Sequence, residues 1–342
     1  MTDAAKDIAF VFPGQGAQHV GMGRDVYEAL APARAVFDRA EQVTGLELTK
    51  LCFEGPGEQL SRTDVAQPAI FTVSAAMLAS LGGQLDPPRV AALKPRWMAG
   101  LSLGEYTALF AAGMIDFDSA LKLVTLRGRA MQDAATGSPG GMVAVMGLDE
   151  GPAEQLCRAA AEGQELTCAN FNCPGQIVLS GERAACERAA EMSEQFGAKG
   201  AKLLDVAGAF HSGFMAPAAD ELAKALAAVS FRAPQAGPEI ARDAPAAPQV
   251  AQQFADVDAA VIANVDARPY ADAGEVPGKL LRQLTSPIRW QQSMAFAVEQ
   301  GARRFYEIGP GKVLRGLLRR IDRNVECTCV NGLDAVEKLT AE

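Results

Sequence analysis

The stretch that most restricts how this chain can fold is Gly100-Leu101-Ser102-Leu103-Gly104. The apolar residues Trp97-Met98-Ala99 lead into it, and a helix-forming run from Tyr106 to Ala112 leads out. Strand, sharp turn and helix form the context that a nucleophile elbow requires. Glycines let the backbone turn tightly and leave room beside the serine. The hydroxyl then projects at a helix N-terminus, where free N–H groups can hold a developing negative charge. A Gly-rich turn with a capping serine uses the same five residues, so the flanking pattern carries the inference more than the pentapeptide does.

Strand and helix signals alternate along most of the chain, as in a mostly parallel, doubly wound sheet. Residues 8–12 read as a buried strand that stops at Pro13-Gly14-Gln15-Gly16. Helical spacing covers 22–43 with a break at Ala31-Pro32, then 64–81 behind a Ser61-x-x-Asp64 cap signal. Residues 87–95 read as a connection. A helix over 116–131 is capped by Asp116 or Asp118. Composition then changes, and Ala135 to Gly141 reads as a hinge. The signals that follow run strand 142–146, helix 152–161, strands 166–170 and 176–180, helix 183–196 and strand 201–206. This β-α-β-β-α-β order suits a small ferredoxin-like unit. The expected organisation is therefore a large α/β domain from 1–138 and 208–342, with a small subdomain inserted at 139–207. Beyond the insert come helices at 217–229, 278–284 and 293–299, strands at 261–263 and 304–308, and a last helix over 313–321. Residues 233–256, rich in Ala, Pro and Gln, read as a surface excursion.

A serine at its ordinary pKa is a weak nucleophile and needs a base. The chain of 342 residues has two histidines. His19 follows Gly-Ala-Gln in a polar setting and reads as a surface or capping group. His211, in Ala209-Phe210-His211-Ser212, sits in a loop of small residues that leaves room for an approaching group. A hydrogen-bonded core histidine is the competing reading. No acid is marked out as the third member of a triad. Glu105, three residues after Ser102, reads as the end of a capping box. Arg127 on the next helix could clamp a carboxylate with parallel hydrogen bonds or could be a solvated surface group. Gln15 by itself is ordinary turn chemistry.

Seven cysteines without a C-x-x-C spacing fit reduced thiols better than disulfides or zinc. The net charge of −9 argues against broad nucleic-acid binding. No apolar run is expected to reach the length needed to span a bilayer, and the first residues lack signal-peptide architecture. A cytoplasmic, monomeric protein is the expectation.

Eight stretches in order resemble malonyl-CoA:acyl-carrier-protein malonyltransferases of type II fatty acid synthesis. They are Phe10-Val-Phe-Pro-Gly-Gln-Gly-Ala-Gln18, Gly100-Leu-Ser-Leu-Gly-Glu-Tyr-Thr-Ala-Leu109, Leu126-Arg-Gly-Arg-Ala-Met-Gln132, Asn170-Phe-Asn-Cys-Pro-Gly-Gln176, Gly208-Ala-Phe-His-Ser212, Ala263-Asn-Val-Asp266, Arg282-Gln-Leu-Thr-Ser-Pro-Ile-Arg-Trp290 and Glu307-Ile-Gly-Pro-Gly-Lys-Val-Leu314. The resemblance implies a hydrolase-like α/β domain with a ferredoxin-like insert. It implies Ser102 as nucleophile, His211 as base and Arg127 as the group that binds the malonyl carboxylate. Gln15 and the Leu103 N–H are implied as the oxyanion hole. Asn172 and Phe210 follow as substrate contacts, with Phe210 narrowing the pocket. The family uses a main-chain carbonyl to orient the histidine, here that of Gln283, with Asn264 as second choice. Malonyl-CoA is implied as substrate with no bound cofactor or metal.

An acyl carrier protein is implied as partner. It is expected at the basic cluster of Lys312, Arg315, Arg319 and Arg320 on the last helix, where a solvated amphipathic face is the other reading. An acyl hydrolase and a trans-acting acyltransferase of polyketide assembly are the alternatives on this scaffold. One departure stands out: most bacterial members carry histidine before the serine, whereas Leu101 stands here, as leucine does in plastid-type members.

Overall fold

The computed structural model describes residues 8–85, 89, 92–233 and 259–341. Along the chain run β1 (Ile8–Phe12), α1 (Arg24–Ala29), α2 (Ala31–Thr44), α3 (Leu48–Glu54), α4 (Gly57–Ser61), α5 (Thr63–Gln84), β2 (Trp97–Gly100), α6 (Gly104–Ala111) and α7 (Phe117–Gly137). Next come β3 (Gly141–Met146), α8 (Glu150–Ala161), β4 (Leu166–Cys173), β5 (Gln176–Gly181), α9 (Arg183–Met192), β6 (Gly200–Leu203) and α10 (Ala216–Leu226). The chain closes with β7 (Ala260–Ile262), α11 (Glu275–Thr285), α12 (Trp290–Glu299), β8 (Arg304–Ile308), α13 (Val313–Ile321), β9 (Glu326–Val330) and α14 (Leu333–Ala341).

Two sheets organise these elements. The first is five-stranded, in the order β7-β2-β1-β8-β9, and every neighbouring pair is parallel. Helices cover both of its faces, so its central strand is apolar throughout. Ile8, Phe10 and Phe12 enter one core cluster; Ala9 and Val11, of opposite parity, enter another. The second sheet is antiparallel, in the order β4-β5-β3-β6, with α8 and α9 packed against it. That is the ferredoxin-like pattern the sequence order suggests. The edge of β4 is tied to the larger sheet's domain, because Ile288 donates to the Ala169 carbonyl at 2.8 Å and Phe171 donates to the Ile288 carbonyl at 2.9 Å.

The fold class agrees with the expectation, and several local readings need correction. Helix α5 is 22 residues long with a hydropathy of 1.5, long and apolar enough to cross a bilayer by composition, yet its apolar window is wholly buried inside the protein. Its uniform apolarity reflects a position at the centre of the core. Ser61 and Asp64 do not cap it: Arg62 precedes the first turn, and Asp64 instead accepts from the Arg62 guanidinium. The hinge expected at 135–141 begins later, since α7 continues to Gly137. Asp116 does cap α7, accepting from Ser119 N at 2.9 Å. Helices α3 and α4, strand β9 and helix α14 lack a clear sequence signal and were not expected. The excursion at 233–256 lies, apart from its first residue, outside the described residues, as does part of the connection at 87–95.

Candidate active site

Strand β2 ends at Gly100 beside Phe12 of β1, and the chain turns directly into α6. Steric room forces glycine at both ends of this turn. A Cβ on Gly100 would overlap the Gly104 carbonyl, and one on Gly104 would overlap the Phe12 carbonyl oxygen. Ser102 between them has φ of +52°, a left-handed conformation that non-glycine residues rarely hold without support. The support is visible: Ser102 N donates to Asn264 Oδ1 at 2.7 Å, and Asn264 Nδ2 donates to the Gly100 carbonyl at 2.8 Å. Two strained residues face each other here, since His211 has φ of +59°.

Ser102 Oγ lies 2.9 Å from His211 Nε2. On the other side of the ring, Nδ1 lies 2.7 Å from the Gln283 carbonyl oxygen. A carbonyl can only accept, so Nδ1 carries the proton and Nε2 is left to accept from the serine hydroxyl. Burial, and then the nearby Arg127 charge, push the His211 pKa down to about 3. The ring is therefore a neutral imidazole at physiological pH, the form a general base must have.

Arg127 reaches this pair from α7. It is 1% exposed. Its Nη2 donates to Ser102 Oγ at 3.0 Å and to Gln283 Oε1 at 3.0 Å, and its Nη1 donates to Gln67 Oε1 at 2.6 Å. Its guanidinium also sits over the Tyr106 ring, 5.5 Å from the centroid. No carboxylate forms an ion pair with it among the described residues. Its Nε–H is buried without a hydrogen-bond partner. Burial lowers its pKa, an effect opposed by Tyr106 and Glu105. A buried guanidinium with an open donor and no carboxylate in contact is a ready site for an anionic ligand group.

Glu105 corrects the sequence reading most. It caps nothing: it is 1% exposed, and its carboxylate accepts from Tyr270 Oη, from Asn264 N at 3.1 Å and from Gln283 Nε2 at 2.6 Å. Burial raises its pKa to about 7 against the lowering effect of those hydrogen bonds.

The remaining expected residues fall in different places. The Leu103 amide, at the mouth of α6, makes no hydrogen bond among the described residues. Gln15 is exposed, and its Nε2 donates to Thr63 Oγ1 at 3.3 Å, without a bond to Ser102. Phe210 is buried in the main core beside His211 in the chain. Asn172 lies half-buried on β4, with no side-chain hydrogen bond to Ser102, His211 or Arg127 among the described residues. The second-choice carbonyl, that of Asn264, accepts from Arg289 N at 2.9 Å; it does not meet His211, and its side chain braces Ser102 instead. Leu101 is half-buried against the apolar cluster that contains Val11 and Trp290, so the leucine at this position packs. His19 is exposed, with Nδ1 near the Ala17 carbonyl, as expected of a surface group. Sequence reasoning missed Gln67 and Tyr270 altogether. A lone glutamine inside the apolar run of α5 was a usable signal; Tyr270, in a loop, gave none.

A family profile described as an acyl transferase domain matches residues 9–319. The chain belongs to the acyl transferase family. It is 37% identical to the malonyl CoA-acyl carrier protein transacylase of Bacillus subtilis, over 96% of this chain and 95% of that protein. Identity to the transacylase of the same name from Escherichia coli K12 is 38%, over 95% of this chain and 96% of the other. Among solved structures, a malonyl CoA-acyl carrier protein transacylase from Coxiella burnetii superposes with a TM-score of 0.86 at 35% identity, covering 98% of this chain and 97% of the other. A malonyl-transacylase solved in complex with a type II PKS acyl-carrier protein gives 0.85 at 36% identity, covering 98% and 99%. The protein is thus an acyltransferase, with the family's fold over nearly its whole length.

Proposed function

We propose that this acyltransferase moves a malonyl group from malonyl-CoA to the phosphopantetheine thiol of an acyl carrier protein, supplying fatty acid synthesis. The observation that carries the reading is Arg127: a buried guanidinium without a carboxylate partner, 3.0 Å from Ser102 Oγ. A hydrolase of neutral acyl groups gains nothing from such a charge, whereas a malonyl thioester brings the missing carboxylate.

In the proposed cycle His211 Nε2 takes the Ser102 proton while the Gln283 carbonyl holds the ring. Ser102 Oγ attacks the thioester carbonyl. The Leu103 N–H and Gln15 stabilise the oxyanion, Gln15 by turning inward from its bond to Thr63. A single donor of this kind is worth about 3 kcal/mol. His211 returns the proton to the departing CoA thiolate, and malonyl-Ser102 remains. The carrier-protein thiol then attacks the ester with His211 again as base. Throughout, the Arg127 guanidinium holds the malonyl carboxylate and fixes the acyl group against misdirected water. Acetyl-CoA leaves that guanidinium unpaired, which selects against it. Phe210 and Asn172 complete the substrate cleft.

We further take the enzyme to be a cytoplasmic monomer whose carrier protein docks on α13 at Lys312, Arg315, Arg319 and Arg320. Arg315 and Arg319 share one exposed side of α13, and Lys312 is exposed at its N-cap. Arg320 is partly engaged already, donating to Gln176 Oε1 at 2.7 Å and to the Pro174 carbonyl at 3.1 Å. The test is to incubate the protein with labelled malonyl-CoA and map the label. Label on Ser102 that carrier protein discharges faster than water supports transfer. Discharge by water at the same rate supports a hydrolase instead.

A further inference from the structure

Three groups must be held in register for this chemistry: the strained Ser102 backbone, the His211 ring and the Arg127 guanidinium. The hydrogen bonds that hold them converge on one carboxylate. Asn264 braces Ser102 N through its Oδ1, and its own N–H is held by Glu105 Oε2 at 3.1 Å. Gln283 holds His211 through its carbonyl and Arg127 through its Oε1. Its amide nitrogen donates to Glu105 Oε2 at 2.6 Å and to the Ser102 carbonyl at 2.9 Å.

We propose that Glu105 is the positioning residue of this site, a buried carboxylate that fixes the sense of the Gln283 amide and so keeps an oxygen turned toward Arg127. An amide has two nearly isosteric ends, one accepting and one donating. If Gln283 turned over, its NH2 group would face the guanidinium, donor against donor, and Arg127 would lose an anchor. Oε2 of Glu105 already accepts from the Asn264 N–H, which can only donate, so it meets Gln283 as an acceptor, takes only the NH2 end and removes that ambiguity. Tyr270 Oη donates to Oε1, the oxygen that neither Gln283 nor Asn264 uses. Among the described residues Glu105 makes no hydrogen bond to Ser102 Oγ, His211 or Arg127; it acts through Gln283 and Asn264.

The proposal rests on the malonyl-transfer reading, and the experiment keeps the two separable. Steady-state kcat/KM is measured with malonyl-CoA and with acetyl-CoA for the wild type, Glu105→Gln and Tyr270→Phe, with thermal unfolding recorded for each. A wild type that accepts malonyl-CoA no better than acetyl-CoA overturns the functional reading, whatever the variants do. With the wild type selective, the expected result is that Glu105→Gln loses malonyl over acetyl preference about 10- to 100-fold, by analogy with the loss when partners that orient metal ligands are changed. Tyr270→Phe deletes a buried bond to the same carboxylate and leaves Gln283 correctly held, so its preference stays within about twofold of wild type. If Glu105→Gln falls equally with both substrates, or if the two variants change the preference alike, Glu105 is only a structural group and the proposal fails. Should Glu105→Gln not fold, Glu105→Asp carries the same reading, since its shorter arm withdraws the carboxylate from Gln283. An unchanged preference in that variant also overturns the proposal.

Discussion

Two strand–turn–helix units of the parallel sheet place a buried glutamate beside the first turn of a helix, and they use it in opposite ways. At the end of β8, Glu307 is fully buried, and its carboxylate accepts from Leu314 N at 2.9 Å and Arg315 N at 2.8 Å. The N-terminus of α13 is thereby filled, as charge and dipole favour. After β2, Glu105 lies in the first turn of α6 itself and points its carboxylate to Tyr270, Asn264 and Gln283. The start of that helix is left with a Leu103 N–H that has no partner among the described residues, beside a strained serine. One architectural unit thus gives a capped basic helix in one place and an open, strained turn in the other. The deciding difference is which donors the carboxylate takes.

The comparison can be broken most severely at Arg127, a buried guanidinium at the open turn with no ion pair among the described residues. Arg127→Ala should lower malonyl over acetyl preference at least about 100-fold, consistent with losing a paired, buried carboxylate contact. Retained preference in steady-state competition between the two thioesters would remove the clamp from the account. The filled turn predicts a different kind of loss. Glu307→Ala should destabilise the protein by about 1–2 kcal/mol, the scale of a lost helix cap, with acyl preference unchanged. Chemical denaturation together with the same competition assay checks both halves. On the exposed side of α13, Lys312→Glu with Arg319→Glu should slow transfer to carrier protein several-fold at low salt while leaving Ser102 acylation intact. Equal loss in both steps would mean that the helix does not dock the carrier.

The smallest expected effect is a titration. His211 stays neutral down to about pH 3, because burial and the Arg127 charge both disfavour the imidazolium. Its ring resonances should therefore not move between pH 8 and 5 in an NMR titration. Removing the guanidinium deletes one of the two causes, so in Arg127→Ala the His211 pKa should rise partway. A His211 that titrates near its ordinary value in the wild type would contradict the buried geometry.

Much of this was legible in the residues. The buried strand, the elbow and the β-α-β-β-α-β order follow from periodicity and glycine placement, and those local signals agree with the global fold. Position 105 was misread because serine followed three residues later by glutamate at a helix start has two physical outcomes. Only the tertiary placement of Asn264, Tyr270 and Gln283 chooses between them. Arg127 had the same ambiguity: helical spacing does not say whether a guanidinium faces solvent or a buried serine. Helix α5 overturns the length expectation: its run is long and apolar enough for a bilayer, and only its burial identifies it as the centre of a core. Leu101 acquires a packing role that its neighbours in sequence do not disclose.

The most direct test of the account is intact-protein and peptide mass spectrometry after brief exposure to malonyl-CoA and, separately, to acetyl-CoA, on wild type and Ser102→Ala. The account predicts one malonyl group on Ser102, far less acetyl at equal concentration, and neither in the variant. Malonyl found on another residue, or equal labelling by both thioesters, would contradict it.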